Sequence, residues 1–454
     1  MKHLFIIGGG SAAATAAFKS HAAGWKVTLA NDGLPIGGTC LNVGCVPSKF
    51  FIRAAQVVHE SKHPRYAAIA PAPRTVDWPT LVREKQALVD ELRERNFEQA
   101  LPRLENLEWV RGRARFTDAH TVQVGDRSWT PDFVLIATGA WTLMPPVDGL
   151  AETPYLTNET IYDLSALPAS LIVLGGGYIA LEVAQMFQRF GTDVTVIQRS
   201  EHILSDQSPD VTTPLRERLE AEGLQVETNT RLSHIGHDAE QGFTATWSRD
   251  GVRHETRAEA LFVGTGRRPN TADLGLEAAG IAVGSREEIP VGPHGETTHP
   301  HIYAAGDVIG DAQFVYTAST EADIALDHML GQSVAGRTYD SLPWVVFTDP
   351  QVAGVGIDAD EARKRGIPCE TAELPVNRWP RFRVTQDLHG FLRLFRNPET
   401  DELLGARALT PEAGDLVTDL GRAMRHGITL SQLAQEYSPY LTLSEGITRA
   451  ADRF

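Results

Sequence analysis

Two cysteines with a chemically suggestive spacing stand near the start of the chain, in Gly37-Gly38-Thr39-Cys40-Leu41-Asn42-Val43-Gly44-Cys45-Val46-Pro47-Ser48-Lys49. Cys40 and Cys45 are two of only three cysteines in the sequence and lie five positions apart. That spacing suits a local disulfide at the beginning of a helix, where the dipole and unpaired backbone N–H groups stabilise a thiolate. Such a pair beside a bound redox cofactor can take up two electrons, and the released thiolate can attack an acceptor. Half of a zinc site is the competing reading. Four intervening residues and the lack of a second Cys/His pair to complete four ligands count against it.

The elements around the pair read as nucleotide-binding. A strand at Leu4–Ile7 runs through a glycine turn into a helix at Ala12–Ala22 and a second strand at Lys26–Leu29. Gly8, Gly10 and Ala13 supply a dinucleotide fingerprint, with alanine in the third glycine position. The plan repeats: strand Leu171–Leu174, then Gly175, Gly177 and Ala180, a helix from about Ile179 to Phe190, and strand Asp193–Ile197. Two such units in one chain mean two dinucleotides. In each, the glycines let a pyrophosphate approach the positive end of a helix. Asn31 and Asp32 follow the second strand of the first unit. Either could hold an adenosine ribose, and a plain turn role for Asp32 stays open. The second unit has Gln198-Arg199 at the corresponding place. Loss of a carboxylate and gain of a cation favour a 2′-phosphate, hence NADPH, with NADH possible and a solvated surface arginine as the alternative.

Val134–Ala140 and Leu261–Asn270 each read as a buried strand ending in a small-residue turn, at Thr138-Gly139 and at Gly266. Pro145-Pro146 and the polar run after Gly266 are the expected crossings between domains. At 454 residues the chain calls for about three domains. We place them at 1–146 (first nucleotide domain with the cysteine pair), 147–269 (second), 270–336 (return to the first) and 337–454. Ala55–Phe97 reads as charged, periodic helices packed outside the first nucleotide domain. After Leu342, strand-like pieces at Trp344–Phe347 and Gly390–Phe395 alternate with helical ones at Ala413–His426 and Ser431–Glu436. The formal net charge of −16 argues against nucleic acid or an anionic membrane as partner. Three cysteines cannot build a secreted disulfide framework, so a cytoplasmic location is expected. The apolar start is broken by glycines and reads as strand, turn and helix rather than a signal peptide, and no apolar run is long enough to span a bilayer.

The cysteine segment closely resembles the active-site motif of the flavin-dependent pyridine nucleotide–disulfide oxidoreductases. That resemblance implies an α/β fold with two Rossmann-like dinucleotide-binding domains plus a C-terminal α+β dimerisation domain. It implies FAD at the first fingerprint, with Gly38, Thr39, Thr138 and Gly139 nearby, and NAD(P)H at the second. Ile302-Tyr303-Ala304-Ala305-Gly306-Asp307 matches the second FAD element, whose Asp accepts hydrogen bonds from the ribityl chain. Cys45 would lie against the flavin and Cys40 would be the outer, exchanging thiol. Lys49 would pair with Glu182 at the flavin edge. Tyr178 would be an aromatic lid over the flavin or a packing residue.

In disulfide-reducing members of the family a C-terminal histidine and glutamate move protons to and from the exchanging thiol. Here the run Ser438–Gly446 keeps Glu445 but has Tyr440 where the histidine would stand. This is similar to the mercuric reductases, as are Gln313–Tyr316 and Val345–Ala353. The resemblance implies NADPH oxidation with Hg(II) or another thiol-bound soft metal as acceptor, held transiently by Cys40 and Cys45, in a homodimer with shared active sites. A reductase of a small disulfide and a non-catalytic metal-binding or redox-sensing flavoprotein are the alternatives. Mercuric reductases normally continue to a vicinal cysteine pair, whereas the sequence given stops at Phe454; Cys369 reads as structural.

Overall fold

Leu4-Phe5-Ile6-Ile7 reads as an unbroken apolar run because both faces of its strand are covered. A computed structural model describes residues 1–454. In it, strand His3–Ile7 is the centre of a five-stranded parallel sheet in the order 302–304, 133–136, 3–7, 26–31, 107–111. A second parallel sheet has the order 225–227, 193–197, 170–174, 260–263. Helices Ser11–Ala22 and Tyr178–Phe190 follow the two glycine turns. Strand Ile302–Ala304 returns to the first sheet, so that nucleotide unit is discontinuous in sequence. The two units are joined where Ala140–Thr142 pairs antiparallel with Arg267–Pro269.

The last unit is a five-stranded antiparallel sheet in the order 344–346, 351–356, 403–410, 391–396, 370–375. Helices Ala413–Arg425 and Ser444–Ala451 close its core with Leu416, Leu420, Ile447 and Ala450. The architecture is α/β with an α+β C-terminal unit, as expected. Two three-stranded antiparallel sheets, 114–129 and 231–258, were not anticipated. Their strands are short or heavily charged, as in Val252–Ala258, and carry little apolar signal.

Helices Cys45–Lys62 and Trp78–Arg93 lie outside the cores of the first unit, and what they pack on was not evident from sequence. Phe51, Ala55, Val58 and Trp78 bury against Leu181, Ala184 and Phe187 of the second unit, in one shared core. Apolar residues at i, i+4 and i+7 give the cysteine helix a stripe that the polar composition of the region obscures. Trp78 also donates its indole N–H to the Leu164 carbonyl at 2.8 Å, and the buried Lys85 pairs with Asp163.

Candidate redox active site

Backbone contact dictates the glycines at both turns. A Cβ on Gly8 would lie 2.1 Å from the Ala137 carbonyl oxygen, and one on Gly175 would lie 2.4 Å from that of Gly264. The two units thus repeat one contact between the first fingerprint glycine and the turn after a neighbouring strand. Ala180 sits where a Cβ on Gly264 would meet its own Cβ at 3.0 Å, so a small residue closes the second fingerprint. Helices Ser11–Ala22 and Tyr178–Phe190 both start without a side-chain cap and with no acidic residue in the first turn. Their free N–H groups fit a phosphate. Asn31, ending its strand, lies over Gly9 and donates to the Leu34 carbonyl at 3.0 Å. Asp32 is exposed in the following turn.

The cysteine segment docks directly on the first turn. A Cβ on Gly38 would meet the Gly10 Cα at 2.7 Å. Asn42 fastens the approach by donating to the carbonyls of Pro35 and Gly38, each at 2.9 Å. Cys40 lies in the short helix Gly38–Val43, and Cys45 is the first residue of Cys45–Lys62. Gly44 separates the helices, and a Cβ there would sit 2.8 Å from the Thr39 carbonyl oxygen and 3.2 Å from the Cys40 Cα. Gly44 therefore sets how closely the sulfurs approach. Overpacking of this kind costs about 1–3 kcal/mol, so Gly44→Ala is expected to lower the melting temperature and loosen the thiol pair together.

In this structure both cysteines are thiols. The neighbouring Cys40 thiol holds the Cys45 thiol, exposed at the start of its helix, down to about 7, aided by the Lys49 charge. The same pairing pushes the more enclosed Cys40 up. The inner sulfur is thus the anion and the outer one the proton holder. Because a lowered pKa favours the charged form, Cys45 gains thiolate as pH rises through about 7, well below the usual thiol range. Alkylation of Cys45 in the reduced protein, followed by mass spectrometry, should be half-maximal near that pH. Lys49→Met should move the midpoint upward. A wild-type midpoint at the ordinary thiol value of about 8.5 would contradict this account.

Lys49 stands one turn after Cys45, and its Nζ lies 2.6 Å from Glu182 Oε2. Glu182 is 8 % exposed, and its other oxygen accepts from the Phe347 N–H at 3.0 Å. The Lys49 ammonium sits 4.5 Å from the centre of the Phe347 ring. One ion pair thereby ties all three units together at the cysteine helix.

Asp307 follows Gly306, whose φ of 83° requires glycine and whose N–H is held by Glu321 at 2.7 Å. Burial raises the Asp307 pKa while Arg267 opposes it, and no other residue donates a hydrogen bond to its carboxylate. A half-buried carboxylate with no donor from another residue fits the hydroxyl chain of a flavin. Arg267 was not singled out by sequence. It contacts the Ala140 carbonyl and reaches Asn158 Oδ1 at 3.3 Å, while Asn158 Nδ2 donates to the Val43 carbonyl at 3.1 Å. Arg267 and Asn158 thus brace the cysteine segment against the inter-unit ribbon. A surface-like Arg-Arg-Pro run hides this role.

Residues 2–322 match the family model described as pyridine nucleotide-disulphide oxidoreductase, and residues 342–451 match that family's dimerisation domain. The chain belongs to the pyridine nucleotide-disulphide oxidoreductases. Proteins of this family are FAD-dependent disulfide oxidoreductases that bind FAD and NAD(P)H. The mercuric reductase of Lysinibacillus sphaericus is 35% identical over 454 residues, covering 99% of this chain and 82% of that one. The HOCl-induced flavoprotein disulfide reductase RclA of Escherichia coli, solved as a Cu(II) complex, superposes with a TM-score of 0.88 at 30% identity over 99% of each chain. LpdA from Mycobacterium tuberculosis gives 0.90 at 28% identity, covering 100% of this chain and 99% of that one.

The remaining expected site residues fall in three places in this oxidoreductase. Tyr178 opens the second fingerprint helix, with its ring centroid 5.7 Å from that of Trp344 and 6.3 Å from that of Phe314; its hydroxyl lies 3.4 Å from Asp206. Gln198 packs beneath Gly176, and Arg199 is exposed without an ion-pair partner. Tyr440 is 68% exposed and makes no hydrogen bond. Glu445 is buried and accepts from the Leu441 N–H at 2.9 Å and from Arg449 at 2.6 Å. Neither Tyr440 nor Glu445 makes a hydrogen bond or ion pair with the cysteine segment of its own chain. No helix is long and apolar enough to cross a membrane.

Proposed function

We propose that this oxidoreductase uses NADPH to reduce a thiophilic metal ion, Hg(II) foremost, at the Cys40/Cys45 pair of a homodimer. FAD, held at the first fingerprint with Asp307 facing its hydroxyl chain, would supply a two-electron route from the nicotinamide to the cysteine pair. The reading rests chiefly on Tyr440. A disulfide acceptor departs as a thiolate and needs a proton donor, and a phenol of pKa about 10 is a poor one near neutrality. Glu445, committed to Leu441 and Arg449, has no imidazole to polarise. A metal ion held by two thiolates takes two electrons and leaves without a proton, so the missing histidine is no handicap. Thiolates also select soft ions, and Cys45 is half ionised near neutrality.

In this scheme Cys45 and Cys40 bind the ion, and Lys49, held by Glu182, stabilises negative charge at the inner sulfur. The match of residues 342–451 to a dimerisation domain supports the homodimer, in which the exposed Tyr440 reaches the partner subunit's Cys40. Arg199, free at the end of its strand, supports NADPH over NADH. We assign the adenosine ribose of FAD to Asn31, which packs over Gly9, rather than to the exposed Asp32.

The test is anaerobic NADPH oxidation with Hg(II) plus excess thiol, with Cu(II), with glutathione disulfide and with lipoamide. Turnover is expected with Hg(II), and Cu(II) is included because the Escherichia coli neighbour is recorded in complex with it. Turnover confined to the two disulfides would overturn the metal reading. Tyr440→Phe is expected to slow Hg(II) turnover, and Tyr440→His to raise turnover of glutathione disulfide or lipoamide. Unchanged rates in both variants would remove Tyr440 from the site.

A further inference from the structure

We propose that His294, Glu296 and His328 form a second metal site, for a borderline divalent transition-metal ion such as Zn²⁺. It shares no residue with the cysteine pair. His294 and Glu296 lie in and after the turn before strand Ile302–Ala304, and His328 is in the last turn of helix Val315–Met329. One ligand atom from each lies within 4.8 Å of the others.

The hydrogen bonds around the three side chains leave one free donor atom on each. His294 Nε2 lies 3.0 Å from the Val334 carbonyl, which only accepts, so Nε2 carries the proton and Nδ1 keeps its lone pair. That Nδ1 is 4.0 Å from Glu296 Oε1. Glu296 Oε2 is occupied by the His294 backbone N–H at 2.8 Å, leaving Oε1 available. His328 Nδ1 lies 2.9 Å from the Tyr303 hydroxyl oxygen, and with Nδ1 as the donor of that bond Nε2 keeps its lone pair. Imidazoles fixed through their second nitrogen by a carbonyl or another polar group are the usual outer support of a metal site.

Two histidines and a glutamate suit Zn²⁺ with one coordination position open. The His294 and Glu296 side chains are 25% and 29% exposed, so the ion has a path in. In this structure the imidazoles stack, with centroids 4.5 Å apart and planes 11° from parallel. Metal–nitrogen bonds of about 2.0–2.1 Å require both lone pairs to aim at one point, so binding tilts the rings out of the parallel stack about their outer hydrogen bonds.

The test uses FAD-loaded Cys40→Ser/Cys45→Ser protein, in which the thiol pair no longer competes for metal. Equilibrium dialysis against Zn²⁺ with elemental analysis is expected to give one ion per chain, and Co²⁺ to give visible ligand-field bands. His328→Ala should abolish both signals, and Glu296→Gln should weaken binding while keeping an acceptor for the His294 N–H. Tyr303→Phe should weaken binding roughly 10–100-fold through the lost outer support. Flavin content and circular dichroism establish folding of each variant. No stoichiometric Zn²⁺ in the protein lacking the thiol pair, or binding unchanged by both His328→Ala and Glu296→Gln, would overturn the site. A stacked pair serving only to join helix and strand gives the first of these results.

Discussion

Cys45→Ser is expected to reduce NADPH-driven turnover of the acceptor by on the order of 10³-fold or more, the scale of loss when a unit's nucleophile is removed. The serine keeps the helix start and the packing of Gly44, so the nucleotide sites should stay intact. NADPH should still bleach the flavin absorbance in a single turnover, while steady-state consumption of NADPH collapses. That split separates loss of the exit route from loss of the entry route. Cys40→Ser acts differently, because it removes the neighbouring thiol that lowers the Cys45 pKa. In that variant the alkylation midpoint of Cys45 should rise. If Cys45→Ser retains turnover within tenfold of wild type, electrons leave by another path and the cysteine pair is not the exit.

The second large effect is expected at Arg199. Its guanidinium is exposed and unpaired at the end of strand Asp193–Ile197, where a 2′-phosphate would lie. A charge-assisted hydrogen bond contributes about 1.5–3 kcal/mol. Arg199→Glu removes it and adds repulsion, while offering a carboxylate to a free ribose hydroxyl. The ratio of kcat/KM for NADPH to that for NADH should fall by roughly 100-fold or more, since about 1.4 kcal/mol corresponds to tenfold. The change should appear mainly in KM, because the substitution lies at the adenosine end. A ratio unmoved by the substitution would make Arg199 an ordinary surface residue.

The parts of the fold that sequence revealed are those where backbone geometry leaves no choice of residue. Gly8 and Gly175 each face a carbonyl that a Cβ would strike, so both fingerprints stood out. The cysteine spacing was legible because it lies within one local segment. Residues that act across long sequence separations were hidden. Phe347 reaches Glu182 from 165 residues away, and Arg267 and Asn158 meet the cysteine segment only after the two units have joined. His294, Glu296 and His328 sit on a turn and a helix end with no motif linking them. The helix from Cys45 was read from its charges, but its apolar stripe chose its neighbour. Asn31 and Asp32 are adjacent polar residues that sequence does not rank; in the fold Asn31 packs over Gly9 while Asp32 is exposed.

The placement of that helix has a consequence for how such proteins can be recombined. Its first residue does the redox chemistry, yet Phe51, Ala55 and Val58 are buried in the core of the neighbouring nucleotide unit. A coenzyme-binding unit lifted from a relative and grafted at residues 147–269 would arrive without the surface that receives those side chains. Changing coenzyme choice by swapping whole cassettes should therefore yield insoluble chimeras unless the helix travels with the graft. Point substitution at the strand end leaves that shared core untouched and is the route the architecture permits.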